Sequence, residues 1–186
     1  SNLNTSITTF VSPGLGLLAG TGFTGPFGSG GITLKEDARI VINTSNSRTL
    51  VNPFDLSGSR FAFEKTDGTG SSALTLTGPL SAQPGPLTFD IPNPDMSVFL
   101  SGATDLRNVT SLTKTGLGSL ALNLSGIGPT VPIAILGGSS LGLYWDAPSS
   151  SGTVNLGTLT FNASQLSTGS GAASPVLTIG RAGQSV

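Results

Sequence analysis

Two residue types that carry much protein chemistry, cysteine and histidine, are absent from this sequence. Without cysteine the chain has neither disulfides nor thiol chemistry, so its stability must come from packing and from backbone hydrogen bonds. Without histidine it lacks the most common general base, the most common zinc ligand and the side chain that titrates near neutral pH. We therefore expect no catalytic centre, no metal and no cofactor, and we predict that the protein is not an enzyme.

Charged residues are scarce as well. They make up 9% of the chain, whereas ordinary globular proteins contain about a quarter. The eight lysines and arginines are scattered and the net charge is −1, so no basic stripe is present that could neutralise phosphates, and we expect no nucleic-acid partner. No apolar run reaches the roughly 18 residues that cross a bilayer, so we expect no membrane span.

The remaining composition is that of a chain that folds. Apolar residues account for 37%, and low charge with substantial hydrophobicity is the opposite of a disordered composition. The 186 residues suit one sizeable domain, and no charged or proline-rich linker divides them. We place this domain at residues 32–186. The chain begins at Ser1 without a basic and apolar leader, as expected of a mature exported protein whose signal peptide has been removed.

Residues 1–31 form a separate N-terminal segment, in which a β-prone run is followed by a stretch rich in glycine and proline. In an extended strand Leu3, Ile7 and Val11 share one face. Two structures remain open for this segment: an edge strand of its own domain, or an arm that adds a strand to a neighbouring subunit. In the second case these three side chains form the assembly strand.

Alternation of apolar and polar residues dominates the rest of the chain. The clearest example is residues 111–124, where a short strand, a Gly-x-Gly corner and a second strand with alternating leucines follow one another. Weaker copies occur at residues 72–78, 86–91 and 157–162. No helical period extends beyond one or two turns, so we predict an all-β fold.

The few charges are unevenly distributed. Residues 32–67 hold ten of the seventeen, and we expect them on the solvent face. From residue 108 onwards only Lys114, Asp146 and Arg181 are charged. Because charge is depleted at desolvated interfaces, we expect this second region to be either dry or covered by other subunits.

Three stretches carry a family resemblance: Leu87–Ile91, Val98–Ala103 and Ser111–Leu122, the last with the sequence SLTKTGLGSLAL. Together they resemble the passenger-associated repeats of bacterial autotransporters and related exported β-solenoid proteins, in which a strand, a Ser-Gly corner and a unit of the form LTKTGxGxLxL recur. The resemblance covers about residues 72–125 and implies a β-solenoid, or β-helix-like, fold. The spacing of the strands is irregular, which leaves a jelly-roll-like β-sandwich as the alternative.

Two groups of residues are candidates for binding. Tyr144 and Trp145 are the only tyrosine and tryptophan and precede Asp146; such a group can stack on a sugar ring and accept a hydrogen bond from a hydroxyl, and it can equally be packed in a core or an interface. Asp90 and Asp95 flank a Pro-Asn-Pro turn. They could form a carboxylate pair or a calcium site, although turn formation explains both.

These features predict a non-enzymatic structural or adhesive subunit that is secreted or displayed at the cell surface. It would assemble with copies of itself into a filament or layer, with exchange of the N-terminal strand as a candidate mechanism. An all-β body with open edges and a nearly uncharged half suits such assembly. Two alternatives stay open: a virion coat protein, and a carbohydrate-binding module around Tyr144 and Trp145 with surface glycans as partners.

Overall fold

The fold was analysed in a computed structural model that describes the chain in separate ranges. The backbone is described for residues 8–10, 16–17, 30–42, 47–65, 70–123, 131–136, 140–144, 153–156, 159–161, 165–168 and 176–179. Side chains are described for residues 30–42, 47–65, 70–122, 131–136 and Thr160.

The described residues form β-strands and no helix, as predicted. The strands are β1 (Thr8–Phe10), β2 (Gly16–Leu17), β3 (Ile32–Lys35), β4 (Ala38–Ile42), β5 (Arg48–Leu50), β6 (Phe54–Ser57), β7 (Arg60–Lys65), β8 (Ser72–Leu76), β9 (Leu80–Ala82), β10 (Gly85–Asp90), β11 (Met96–Leu100), β12 (Thr104–Asp105), β13 (Val109–Thr115), β14 (Ser119–Asn123), β15 (Ile133–Ile135), β16 (Ser140–Tyr144), β17 (Thr153–Leu156), β18 (Leu159–Phe161), β19 (Gln165–Thr168) and β20 (Val176–Ile179).

Three parallel sheets form the faces of a β-solenoid. The first sheet has the order β1-β3-β6-β9-β12, the second β2-β4-β7-β10-β13-β15-β18 and the third β5-β8-β11-β14-β16-β19, while β17 and β20 pair with each other. From β3 to β14 the chain visits the three faces in turn and completes four turns. The prediction of a β-solenoid is therefore confirmed, and the alternative β-sandwich is not what the chain forms.

Apolar side chains fill most of the interior because they occupy alternate positions of most strands whose side chains are described. Phe61, Phe63 and Phe89 are fully buried in the second sheet, and the ring centroids of Phe61 and Phe63 lie 6.5 and 6.0 Å from that of Phe89. In the third sheet Leu76, Leu100 and Leu122 stack in register. Burial of each such side chain contributes about 1.5 to 3 kcal/mol, so the solenoid needs no disulfide.

The length of a turn varies, but the register of the inward positions does not. In the first sheet, Ile32, Phe54, Leu80 and Thr104 are partners on successive strands although 22, 26 and 24 residues separate them. The corners absorb the difference. Five residues, 91–95, join β10 to β11, whereas only Gly116, Leu117 and Gly118 join β13 to β14.

The corner between the third and first sheets is built from closely stacked backbone. A Cβ atom on Gly78 would lie 1.9 Å from the carbonyl oxygen of Asn52, and one on Gly102 would lie 2.0 Å from that of Gly78. Asn52 is buried, and its Nδ2 donates a hydrogen bond of 2.7 Å to the carbonyl oxygen of Gly30. A side chain at either glycine would therefore push successive turns apart.

Two lysines are buried, and one of them, Lys65, belongs to the stretch whose charges we expected on the solvent face. Lys65 is only 8% exposed and Lys114 is 0% exposed. Lys65 follows Phe61 and Phe63 at a spacing of two, so the pleat of β7 directs it inward. Its Nζ donates to the carbonyl oxygen of Gly70 and lies 3.8 Å from Oδ2 of Asp95. For Lys65 the prediction was wrong, because the alternation of β7 outweighed charge.

Candidate functional site

The aromatic group proposed for sugar stacking is only partly described. Tyr144 is the last residue of β16, where its backbone pairs in parallel with that of Asn123 on β14. The side chain of Tyr144 and the whole of Trp145 and Asp146 lie outside the described residues. Their role in binding stays a prediction.

The proposed assembly strand is described over three residues. Leu3, Ile7 and Val11 lie outside the described residues. The strand β1 lies between Ile7 and Val11 in the sequence, and it pairs in parallel with β3 of the same chain, with Thr8 opposite Ile32. The N-terminal segment thus supplies the first strand of the first sheet. An arm exchanged with a neighbour would occupy the same position on the neighbour's β3.

The two aspartates around the Pro-Asn-Pro turn have separate partners. Asp90 ends β10 rather than forming part of the turn, and its carboxylate lies 3.0 Å from Nη2 of Arg60 and accepts a 2.9 Å hydrogen bond from Thr115 Oγ1. Asp95 lies in the turn, and its carbonyl oxygen accepts a hydrogen bond of 2.9 Å from the backbone N–H of Ser72. Within the described ranges, no three His, Cys, Asp or Glu residues are grouped so that they could hold a metal ion.

A groove lies on the outside of the first sheet. It has a volume of about 610 Å³ and crosses β3, β6, β9 and β12. One side of the groove is the corner that precedes these strands, with Gly31, Pro53, Pro79 and Ala103 on successive turns. The rings of Pro53 and Pro79 and the methyl group of Ala103 are exposed there, so this side is apolar.

The other side of the groove is a polar column. Thr33, Asp55, Ser81 and Asp105 are in-register partners on the four strands, and all four line the groove. Asp55 is half-buried, and one of its carboxylate oxygens accepts a long hydrogen bond of 3.5 Å from Ser81 Oγ. The column therefore presents hydrogen-bond acceptors along the solenoid axis, beside the apolar corner.

An ion pair closes one end of the column. Nε and Nη2 of Arg107 each donate a 2.9 Å hydrogen bond to the carboxylate of Asp105. These hydrogen bonds lower the pKa of Asp105 to about 2. Asp105 consequently stays ionised at any physiological pH, and the exposed Arg107 holds it in a fixed orientation.

Lys114 is the other unusual ionisable group, and its environment is structural. On β13 it lies between Phe89 of β10 and Ile135 of β15, and its Nζ donates to the carbonyl oxygens of Thr115 and Gly116 at 2.5 and 3.0 Å. Burial lowers the pKa of Lys114 to about 8, and the carboxylate of Asp90 opposes this shift. Both acceptors belong to the corner after β13, so we assign the ammonium group to holding this corner.

This groove was not predicted from the sequence. Its polar residues are separated by 22, 26 and 24 positions along the chain, and they become neighbours only because the solenoid stacks them. The signal that could have found them is an outward polar residue directly after each corner. It was hidden because β9 and β12 have only three and two residues and were not predicted as strands.

Comparison of the chain with protein-family models, with curated proteins and with solved structures finds no match. In the described part of the chain, a search for helices of sufficient length and hydrophobicity to cross a membrane finds none.

Proposed function

We propose that this protein is a non-enzymatic structural or adhesive subunit that is secreted or displayed at the cell surface and assembles head to tail with copies of itself. The β-solenoid architecture supports this proposal, and it is also the fold implied by the resemblance to autotransporter passenger repeats. The proposed polymer is a filament whose axis follows the solenoid axis, with layers as a related form.

The observation that carries the proposal is the parallel pairing of all described strands. In such a stack each turn pairs with the next through the same kind of strand edge. The free edge at one end of the molecule is therefore complementary to the free edge at the other end. The sheet orders place β1 and β2 at one end and β18 and β19 at the other. A head-to-tail contact of this kind does not close on itself by symmetry, and it generates open filaments.

The environment of Asp105 argues against one catalytic role. A glycosidase needs one carboxylic acid whose pKa is raised so that it can donate a proton. The pKa of Asp105 is shifted in the opposite direction, to about 2, so this residue cannot serve as that acid. The virion-coat alternative relied on a jelly-roll subunit, and the solenoid fold removes that basis.

Assembly is tested by sedimentation velocity and electron microscopy of the purified protein over a range of concentrations. We expect filaments for the unmodified chain. The variant Thr160→Lys places a charge at an exposed position of β18, the end strand of the second sheet, and charge on an edge strand impedes further pairing, so we expect shorter filaments or monomers.

The control is Thr110→Lys, which adds the same charge at an exposed position of β13, a strand with neighbours on both sides. We expect this variant to assemble like the unmodified chain. A purely monomeric unmodified protein at all concentrations would contradict the proposal, and so would equal filament loss in both variants.

A further inference from the structure

The groove on the first sheet has the dimensions of a binding site for an elongated ligand. Its volume of about 610 Å³ falls within the usual range of ligand sites, about 300 to 1,000 Å³. It crosses four strands, and because neighbouring strands lie about 4.8 Å apart, the groove extends roughly 14 Å along the solenoid axis. A ligand that fills it must therefore be a chain rather than a single small ring.

The two sides of the groove define the chemistry of such a ligand. The apolar corner of Pro53, Pro79 and Ala103 favours contact with C–H groups, whereas the carboxylates of Asp55 and Asp105 accept hydrogen bonds and donate none. Asp55 has one long hydrogen bond from Ser81 Oγ, and an ionised carboxylate has room for about four. The ligand must thus combine C–H surface with several O–H or N–H donors.

Charge and backbone pairing argue against nucleic acids, acidic glycans and peptides that add a strand to a sheet. Two carboxylates and the single guanidinium of Arg107 give the groove a net negative charge, which disfavours nucleic acids and acidic glycans. A peptide usually binds a sheet by pairing with a free edge. The central strands β6 and β9 are paired on both sides, so the groove offers no edge to a peptide there.

From this geometry we propose that the groove binds a short, neutral oligosaccharide along the solenoid axis. The pyranose C–H faces pack against Pro53, Pro79 and Ala103, and the sugar hydroxyls donate hydrogen bonds to Asp55 and Asp105. Ser81 lies between the two carboxylates and contacts the middle of the sugar chain. The inference rests on the adhesive part of the proposed function and is independent of filament formation.

Isothermal titration calorimetry tests the proposal with three tetrasaccharides: cellotetraose and tetra-N-acetylchitotetraose as neutral probes, and tetragalacturonate as the acidic counterpart. We expect at least one neutral probe to bind and the acidic probe to bind at least tenfold more weakly. Asp55→Asn should weaken binding of the neutral probe about tenfold, since a carboxamide offers fewer acceptor sites. Ser81→Arg, which fills the centre of the groove from an exposed position, should abolish it.

The matched control is Asp37→Asn, which removes a carboxylate from the turn between β3 and β4, outside the groove. Asp37 has a φ of 58°, a conformation that asparagine tolerates, so we expect unchanged binding. The inference is overturned if neither neutral probe binds at millimolar concentration, or if Asp55→Asn and Ser81→Arg bind as tightly as the unmodified chain.

Sedimentation velocity of the same variants separates this inference from the proposed function. If Asp55→Asn and Ser81→Arg lose sugar binding and still form filaments, the result supports both the glycan site and the proposed function. Filaments without any sugar binding in the unmodified protein overturn the groove as a glycan site and leave the structural role intact. Loss of filaments in Ser81→Arg, without sugar binding in the unmodified chain, would show that the groove holds a second copy of the chain.

Discussion

Lys114 places an ammonium group in the apolar interior of the solenoid, between Phe89 and Ile135. Burying a charge is costly unless hydrogen bonds compensate, and here the carbonyl oxygens of Thr115 and Gly116 accept them. These carbonyls belong to the corner where the chain passes from the second sheet to the third. The carbonyl oxygen of Thr115 also accepts a 3.0 Å hydrogen bond from the backbone N–H of Ile91, so the lysine adds a second donor there and supplies one to Gly116.

The lowered pKa of Lys114 gives the stability of the protein a specific pH dependence. Its pKa falls from the ordinary 10.5 to about 8 in the folded chain. Between these two values the unfolded chain binds a proton that the folded chain has released, so the free energy of unfolding rises with pH. Below about pH 8 both states are protonated and the contribution is constant.

The variant Lys114→Met removes this titration while keeping a long side chain. We expect the stability of the unmodified chain to increase relative to Lys114→Met as the pH is raised from 7 to 10, measured by urea unfolding followed by circular dichroism. Lys35→Met is the control, because Lys35 is exposed, and it should leave the slope unchanged. Parallel pH profiles for the unmodified chain and Lys114→Met would contradict the assignment.

At the scale of elements, the corners determine whether successive turns can stack. The backbone N–H of Gly102 donates to the carbonyl oxygen of Leu76 at 3.1 Å, and that of Leu80 donates to Ala103 at 2.8 Å. These hydrogen bonds connect one turn to the next through the corner itself. The corner therefore continues the ladder of the sheets and requires the close approach that only glycine permits.

Substitution of a corner glycine should destabilise the protein strongly. In Gly102→Ala the new Cβ would lie 2.0 Å from the carbonyl oxygen of Gly78 and 2.7 Å from that of Thr77, so the turns must separate. We expect a loss of about 1 to 3 kcal/mol in the free energy of unfolding, as for other overpacked sites, measured by urea titration.

Gly31→Ala is the matched control for this substitution. Gly31 lies at the same kind of corner, but its nearest atom, the carbonyl oxygen of Pro53, would be 3.9 Å from the new Cβ. The replacement should be neutral or stabilise by up to about 1 kcal/mol through the unfolded state. Equal losses in both variants would show that corner packing is not the cause.

The elements differ in how far the sequence could predict them. Strands with several apolar residues at a spacing of two, such as β7, β10 and β13, were predicted because the alternation itself states which face is buried. The short β9 and β12 each have a single buried position, Leu80 in β9 and Thr104 in β12. One position is too few to show an alternating pattern. Lys114 shares its face with Leu112, so the alternation of β13 directs it inward, although the burial of this lysine was not predicted.

The groove could not be predicted because it depends on a long-range register. Asp55 and Asp105 are fifty positions apart and meet the same groove only after two complete turns. The intervening corners differ in length, so counting residues does not align them. A fixed repeat length would have revealed the column, and this chain lacks one.

At the scale of the whole molecule, the solenoid is an internally repeated stack whose ends resemble its own internal contacts. The backbone groups that β1 offers to β3 are the same kind that any turn offers to the next. Exchange of β1 between two molecules would preserve every one of these hydrogen bonds, now formed between chains. Exchange of an identical element in this way is a low-cost route to assembly. Pairing within a chain and pairing between chains thus compete for one site.

Deletion of residues 1–11 tests whether this site holds the polymer together. The deletion removes β1 and leaves the four turns from β3 to β14 with their apolar interior, so we expect the β-type circular dichroism spectrum to persist while the sedimentation coefficient falls to that of a monomer. A synthetic peptide of residues 1–11 should bind the truncated chain without restoring filaments, because a free peptide occupies the edge of β3 but connects no second subunit. Undiminished assembly of the truncated chain would show that β1 is only a local edge strand and that the filament is joined elsewhere.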